Sequence, residues 1–223
     1  MSIVHPASLA DTLDITSEAY FNDSPLPSPL RQEIAMWIIS RQVQSGANAG
    51  YFIPFAAETE TRARLFTGEL LHTNLARRHI QLIEAARVLK LLGIEHPAAV
   101  DSIRMAYQCM DTMCYSQFCA KGECKVLTIA YLRLLSLDGV PDSVARLASL
   151  FARLSDYRDG RGKWNGFPYF YMLLMLTEVD HPLADQELEY TLPVCNKLSS
   201  QVWPSDSISK RRQAIITHVL ARS

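Results

Sequence analysis

Four of the five cysteines recur at a fixed interval, Cys109, Cys114, Cys119 and Cys124, while Cys195 stands apart. Thiolates are soft ligands, and zinc takes four converging ligands, commonly supplied by short Cys-x2–4-Cys turns. A five-residue step along a helix turns about 140°. Cys109 and Cys114 therefore point away from each other if one helix carries both. Cys119 and Cys124 differ, because one falls in an expected loop and the other at the start of an expected helix. A thiolate at a helix N-terminus is stabilised by the dipole, and this pair can converge. The same residues also fit buried inert thiols or a reactive pair. Glu69 and His72 form a second constellation. Glu-x-x-His on a helix puts both side chains on one face, a spacing used in helical metal sites. His79 follows on the same expected face. Cys119, Cys124 and His72 are thus the candidate ligands, with zinc as the ion. A capping Glu69 and two hydrogen-bonded histidines is the structural reading of the same spacing.

Trp164, Phe167, Tyr169, Phe170 and Tyr171 make the densest aromatic patch. It suits either core packing or the wall of an apolar pocket. Gly160-x-Gly162-x-x-x-Gly166 follows no strand pattern, so it is no dinucleotide fingerprint. No Gly-x-Ser-x-Gly nucleophile string is present. Arg77, Glu84 and Arg87 have the spacing of an ion network on a helix face.

These residues must be positioned by helices. Ser8 to Phe21 reads as a short helix, and the prolines from Pro25 to Pro29 as a stiff connector. Residues 1–30 are an N-terminal extension, and residues 31–223 a single helical-repeat domain. From Leu30 the apolar period is helical, with Ile34, Trp37 and Ile38 in register. A long helix is expected over Gly68 to Leu92, capped by Thr67, with Leu71, Leu75, Leu82, Ala86 and Leu89 as its stripe. Gly93 and Pro97 end one helix and begin the next, which carries Val100, Ile103, Tyr107 and Met110. Glu123 to Leu137, Val144 to Leu154 and Phe167 to Glu178 follow. Asp138-Gly139 and Pro141 mark the turn between the first two of these. A helix from Pro182 is expected to break near Pro193. The last helix is capped by Ser205 or Ser207. No strand is expected.

Three blocks share one plan: an outer helix, a loop with glycine and an aromatic, and an inner helix. The loops run from Gln44-Ser45-Gly46 through Tyr51-Phe52 to Gly68-Glu69, then from Tyr115 to Gly122-Glu123, then from Arg161-Gly162 through Trp164-Asn165-Gly166-Phe167-Pro168. Over residues 31–181 this pattern resembles the prenyltransferase and squalene-cyclase type of α/α-toroid repeat. The resemblance implies an all-α fold of helical hairpins forming a partial α/α toroid. It also implies inner-helix N-termini gathered at one rim, bringing together Glu69, His72, Glu123, Cys124, Trp164 and Asn165, with Tyr169 just inside. The candidate ligand-binding set is therefore Glu69, His72, Glu123, Trp164, Asn165 and Tyr169. The chain departs from the terpenoid cyclases in lacking both an Asp-x-Asp-Asp acid and an Asp-Asp-x-x-Asp string.

The 223 residues are 48% hydrophobic and 20% charged, ordinary for a globular protein, with a formal net charge of -1. That balance argues against nucleic acid as a partner. No apolar run approaches the ~20 residues of a membrane span, and no targeting segment is visible, so a cytoplasmic location is expected. Two functions follow. One is a non-catalytic helical-repeat module that binds a protein or an apolar small molecule. The other is a terpenoid-cyclase-like or prenyltransferase-like enzyme acting on an apolar isoprenoid, with aromatic faces stabilising cations. An open helical ring leaves end faces uncovered, so self-association as a homodimer is expected.

Overall fold

The computed structural model describes residues 3–24, 26–60, 63–137 and 142–222. The expected turn at Asp138, Gly139 and Pro141 lies outside them, as does Pro25. Among the described residues all regular structure is helical, joined by isolated antiparallel bridges rather than strands. The chain divides into two units, residues 1–63 with 71–116, and residues 64–70 with 117–223.

The first unit is built from α1 (Leu9–Phe21), α2 (Ser28–Ser40), α3 (Ala56–Glu60), α4 (Asn74–Leu92) and α5 (Pro97–Asp111). α1, α2 and α5 all pack on α4, so α4 is buried on most of its circumference rather than along one stripe. Thr73 caps it, its hydroxyl accepting from the Ala76 N–H at 3.2 Å. The helix therefore starts well after Gly68, and Glu69 and His72 precede it without helical structure. The long helix from Gly68 is corrected accordingly, and with it the shared helical face of that pair. Gly93, at φ 60°, ends α4 in the left-handed conformation that glycine tolerates. Arg31 donates to the Leu92 carbonyl at 3.0 Å, placing a cation at that C-terminus. The buried face of α5 is Ala99, Ser102, Ala106 and Met110. Val100, expected inside, is 59% exposed, and so is Leu75 of α4 at 60%. Three of the four buried side chains of α5 are small, and α4 and α2 pack on this helix.

The second unit holds α6 (Cys124–Leu135), α7 (Ser143–Phe151), α8 (Tyr169–Glu178), α9 (Pro182–Ser199) and α10 (Ser207–Arg222). α8 packs between α6 and α10, while α7 and α9 pack on that layer and on each other. Contacts at both ends establish that α6, α8 and α10 run parallel. At their starts, Lys125 Nζ of α6 donates to the Asn165 carbonyl just before α8, and Arg212 of α10 lies 4.5 Å over the ring of Phe170. At their far ends, Arg133 of α6 pairs with Glu178 of α8 at 2.7 Å. Arg222 of α10 donates to the carbonyls of Leu176, Thr177 and Val179. Arg222 thereby satisfies carbonyls that a helix end leaves without partners.

Two helix boundaries differ from expectation. Pro193 does not break α9, which runs through it. Pro193 and Glu189 are both exposed, so the carbonyl that loses its partner faces solvent and can be hydrated. α10 is capped by Asp206, whose carboxylate accepts from the Ser209 N–H and hydroxyl at 3.0 and 2.7 Å. Those bonds hold the carboxyl below its usual range.

Candidate functional site

Two loops show how the blocks are fastened. In the first unit the chain bridges Gln42 to Phe52, and Gly50 at φ +87° lies against α5. A Cβ at Gly50 would sit 2.6 Å from Cys109 Sγ and 2.8 Å from the Met105 carbonyl. Buried Gln42 donates to the Gly50 and Ser102 carbonyls at 3.0 and 2.9 Å. In the second unit the chain bridges Arg158 to Trp164, and Gly162 at φ +88° lies against α9. Its Cβ would sit 2.7 Å from Val194. Thr191 of α9 donates to the Gly162 carbonyl at 2.8 Å. The two loops share a bridge, a glycine in a region hostile to other residues, and a polar side chain satisfying that glycine's carbonyl.

The aromatic candidates belong to this fastening. Trp164 is buried, and its indole N–H donates to Glu187 Oε2 at 2.7 Å. Arg158 Nε reaches the same oxygen at 3.0 Å. The Thr191 proton goes to Gly162, so the Tyr169 hydroxyl donates to Thr191 Oγ1 at 2.8 Å. Burial, with the neighbouring Cys195, pushes the Tyr169 hydroxyl pKa far upward, so it stays protonated. Asn165 is exposed. Its N–H donates to the Tyr157 carbonyl at 2.7 Å, and its carbonyl accepts from Lys125. Glu123 is the N-cap residue of α6. Glu69 accepts from the Thr67 hydroxyl, in the short segment 64–70 that α10 holds through Arg211 to Phe66 O and Arg212 to Thr67 O. Glu69, Glu123, Trp164, Asn165 and Tyr169 thus all lie at the end of the second unit where α6, α8 and α10 begin. His72 belongs to the first unit and is exposed.

The middle block is built differently. Its segment 114–124 has no bridge among the described residues. A 3-10 turn, Cys114–Gln117, leads into Phe118 at φ 66°. This conformation is strained for a bulky side chain. Phe118 is held there by Tyr157 and Phe167, with ring centroids at 5.6 and 6.2 Å. Arg153 lies 4.9 Å over its ring and donates to the Gln117 carbonyl at 2.8 Å. Cys119 follows. Its N–H and carbonyl both bond the buried Thr128 hydroxyl, at 3.1 and 3.0 Å. Cys124 opens α6. The result is that the thiols of Cys114, Cys119 and Cys124 lie within 4.8 Å of one another, a grouping that could hold a metal ion. Cys119 and Cys124 converge as expected. The third member is Cys114, and His72 is not in the group. Cys114 escaped the spacing argument because α5 ends at Asp111. The five-residue step from Cys109 to Cys114 is therefore not a helical one. None of the five cysteines is in a disulfide.

The first unit buries one further titratable group. His79 stands between two tyrosines, with Tyr115 Oη 3.0 Å from Nδ1 and Tyr51 Oη 3.4 Å from Nε2. Arg78 lies 3.7 Å over the Tyr51 ring. Burial, and then Arg78, depress the His79 pKa, so the ring is held neutral.

Comparison with protein-family models, with curated proteins and with solved structures finds no match to this chain. Among the described residues no helix is long and apolar enough to cross a membrane.

Proposed function

We propose that this chain is a non-catalytic helical-repeat module of the partial α/α-toroid type. It binds a protein or an apolar ligand through the end of the second unit where α6, α8 and α10 begin. One observation carries this reading: the buried Trp164–Glu187 bond at 2.7 Å. The aromatic residue that a cyclase would turn toward a cationic intermediate is instead committed to a carboxylate on α9. Tyr169 is committed likewise, to Thr191. The cyclase reading also needs a proton donor. Asp159, the carboxylate of the third loop, accepts from the Arg161 and Lys163 N–H groups and from Tyr190. These bonds hold its carboxyl below the usual range, the wrong direction for a general acid near neutral pH. Incubation with prenyl diphosphates and linear polyprenes, followed by mass spectrometry, is expected to return the substrates unchanged. Turnover to a cyclised or transferred product would replace this reading with the enzymatic one.

The zinc expected from the sequence would sit on the thiol trio, and reduced thiols suit a cytoplasmic setting. The module is further proposed to pair as a homodimer through its first unit. Of the seven large apolar side chains exposed among the described residues, Ile15, Met36, Ile53, Leu75 and Val100 belong to that unit. Light scattering at micromolar concentration is expected to give twice the chain mass. A value that stays near 25.1 kDa would rule the pairing out.

A further inference from the structure

Cys119 and Cys124 both belong to the second unit, on the two arms of one turn. The Cys124 N–H donates back to the Lys121 carbonyl at 3.0 Å, and Gly122 takes the left-handed conformation at φ +49°. Cys124 is the first residue of α6, and Thr128 lies one helical turn further on the same face. The Thr128 hydroxyl accepts from the Cys119 N–H at 3.1 Å and donates to its carbonyl at 3.0 Å. The Cys119 backbone is therefore held against the face of α6 that carries Cys124. The two thiols stand within 4.8 Å of each other. A disulfide joins its sulfurs at about 2.05 Å. One χ1 step between staggered wells moves a cysteine sulfur by about 3 Å, the size of the gap to be closed.

We infer that Cys119 and Cys124 are a reversible oxidation site, a dithiol that exchanges with a low-molecular-weight disulfide and closes into a disulfide of its own. The inference does not rest on the zinc reading, since it concerns the metal-free chain. A negative charge at the start of a helix is favoured by the dipole, so Cys124 is the attacking sulfur. Its thiolate attacks one sulfur of the small disulfide, that S–S bond breaks, and one small thiol leaves. Cys124 now carries a mixed disulfide. The Cys119 thiolate attacks Cys124 Sγ, the mixed bond breaks, and the second small thiol leaves. The two protein sulfurs give up two electrons to the reagent, and their two protons end on the two released thiols. Cys119 and Cys124 are both partly exposed, so a small disulfide can reach them, whereas Cys195 is fully buried. The second step is intramolecular and outruns a second molecule of reagent. The new bond ties the segment before α6 to the first turn of that helix, a closure that bridges supply in the loops 41–53 and 157–168.

The test uses the full chain, reduced, freed of metal and then treated with glutathione disulfide. The chain is expected to lose the mass of two hydrogen atoms and to regain it with dithiothreitol. After the remaining thiols are alkylated under denaturing conditions, chymotrypsin cleaves after Phe118 and trypsin after Lys121 and Lys125. The peptides 119–121 and 122–125 should be recovered joined, with Cys195 alkylated. C119S removes the second attacking sulfur, so it should accumulate glutathione on Cys124 at least about tenfold over the parent. Circular dichroism should show this variant as helical as the parent. A join from 122–125 to the peptide holding Cys114, or to a second chain, would overturn the pair. Glutathione on Cys119 and Cys124 without a join would do the same, as would no reaction at all. C119S with Cys124 unmodified would overturn the role of Cys124 as the attacking sulfur. Zinc uptake is measured separately on the reduced chain, so the zinc reading stands or falls on its own.

Discussion

The loops 41–53 and 157–168 solve one problem in one way, and the segment 114–124 solves it in another. In the first two, a bridge closes the loop and a glycine near φ +87° lets the backbone lie on a helix further along the chain, α5 or α9. The fastening is covalent geometry plus a few hydrogen bonds, complete within the chain. In the third, no bridge is present among the described residues, a phenylalanine occupies the left-handed conformation, and three thiols converge. The comparison teaches that a helical repeat can keep its helices while exchanging the means of closing its loops. The two bridged loops also differ. The first uses the neutral Gln42 amide, and the second uses the charged Glu187 beside Arg158 and Trp164.

The largest expected effect comes from breaking the glycine contact. Gly50→Ala puts a Cβ 2.8 Å from a backbone carbonyl and forces alanine into the left-handed region. Together these should destabilise the protein by about 4 kcal/mol, roughly half from conformation and half from overpacking. Gly46→Ala is the matched control, since its φ is +81° with nothing within 4 Å. It should cost only about 1–2 kcal/mol. Urea denaturation of the two variants separates the contact from the conformation. Equal losses would mean that close approach to α5 is not what requires glycine.

Next in size is the polar core of the third loop. Glu187→Leu leaves the buried Trp164 N–H without an acceptor and Arg158 without its carboxylate. A loss of about 3 kcal/mol is expected, discounted somewhat because the Arg158 side chain is 32% exposed. Gln42→Leu, the neutral counterpart, removes donors from two carbonyls and should cost less, about 1–2 kcal/mol. If the order reverses, the charged loop is not the more tightly fastened of the two.

Much of this architecture was legible in the residues. The helical period, Gly93 and Pro97 located α4 and α5, and Ser8 to Phe21 does form α1. Repeated glycine-and-aromatic loops pointed to a common plan, which the first and third loops share in detail. The misses have physical causes. Thr73 competes with Thr67 as a cap, and the chain chooses Thr73 because residues 64–70 are drawn into a separate bridged turn held by α10. Val100 and Leu75 looked like core because they are large, whereas both stand on the exposed sides of their helices. Glu187 carried no local signal, as it lies far along the chain from the tryptophan it serves. Cys114 was hidden by a spacing that is regular in sequence and irregular in space.

A smaller effect should sharpen the contrast for the middle segment. The Thr128 hydroxyl bonds both backbone groups of Cys119, so Thr128→Val keeps the shape and strands two polar groups. About 2 kcal/mol of destabilisation is expected, measurable by urea denaturation of the metal-free chain. A change within about 0.5 kcal/mol, the range of an ordinary surface substitution, would mean that Thr128 does not set the loop.

The smallest effect is a pH dependence arising in the first unit, which has a buried imidazole. His79 faces Tyr51 and Tyr115, with Arg78 and Cys109 nearby, and its folded pKa is depressed by burial and by Arg78. The unfolded chain titrates this group near ~6.5. Between the depressed folded value and that unfolded value, the unfolded state binds more protons than the folded one. Stability therefore rises with pH across this window. The His79 contribution is full above pH ~6.5 and is lost as pH falls from there toward the folded value, where the loss levels off. His79→Gln keeps one donor and one acceptor between the tyrosines but cannot titrate. Its stability difference from the parent should shrink as the pH is lowered through this window, because only the parent loses stability there. Thermal melts of both proteins at closely spaced pH values between neutral and mildly acidic would measure it. A constant difference would show that the imidazole titrates alike in both states, and that the tyrosine pair positions His79 without holding it neutral.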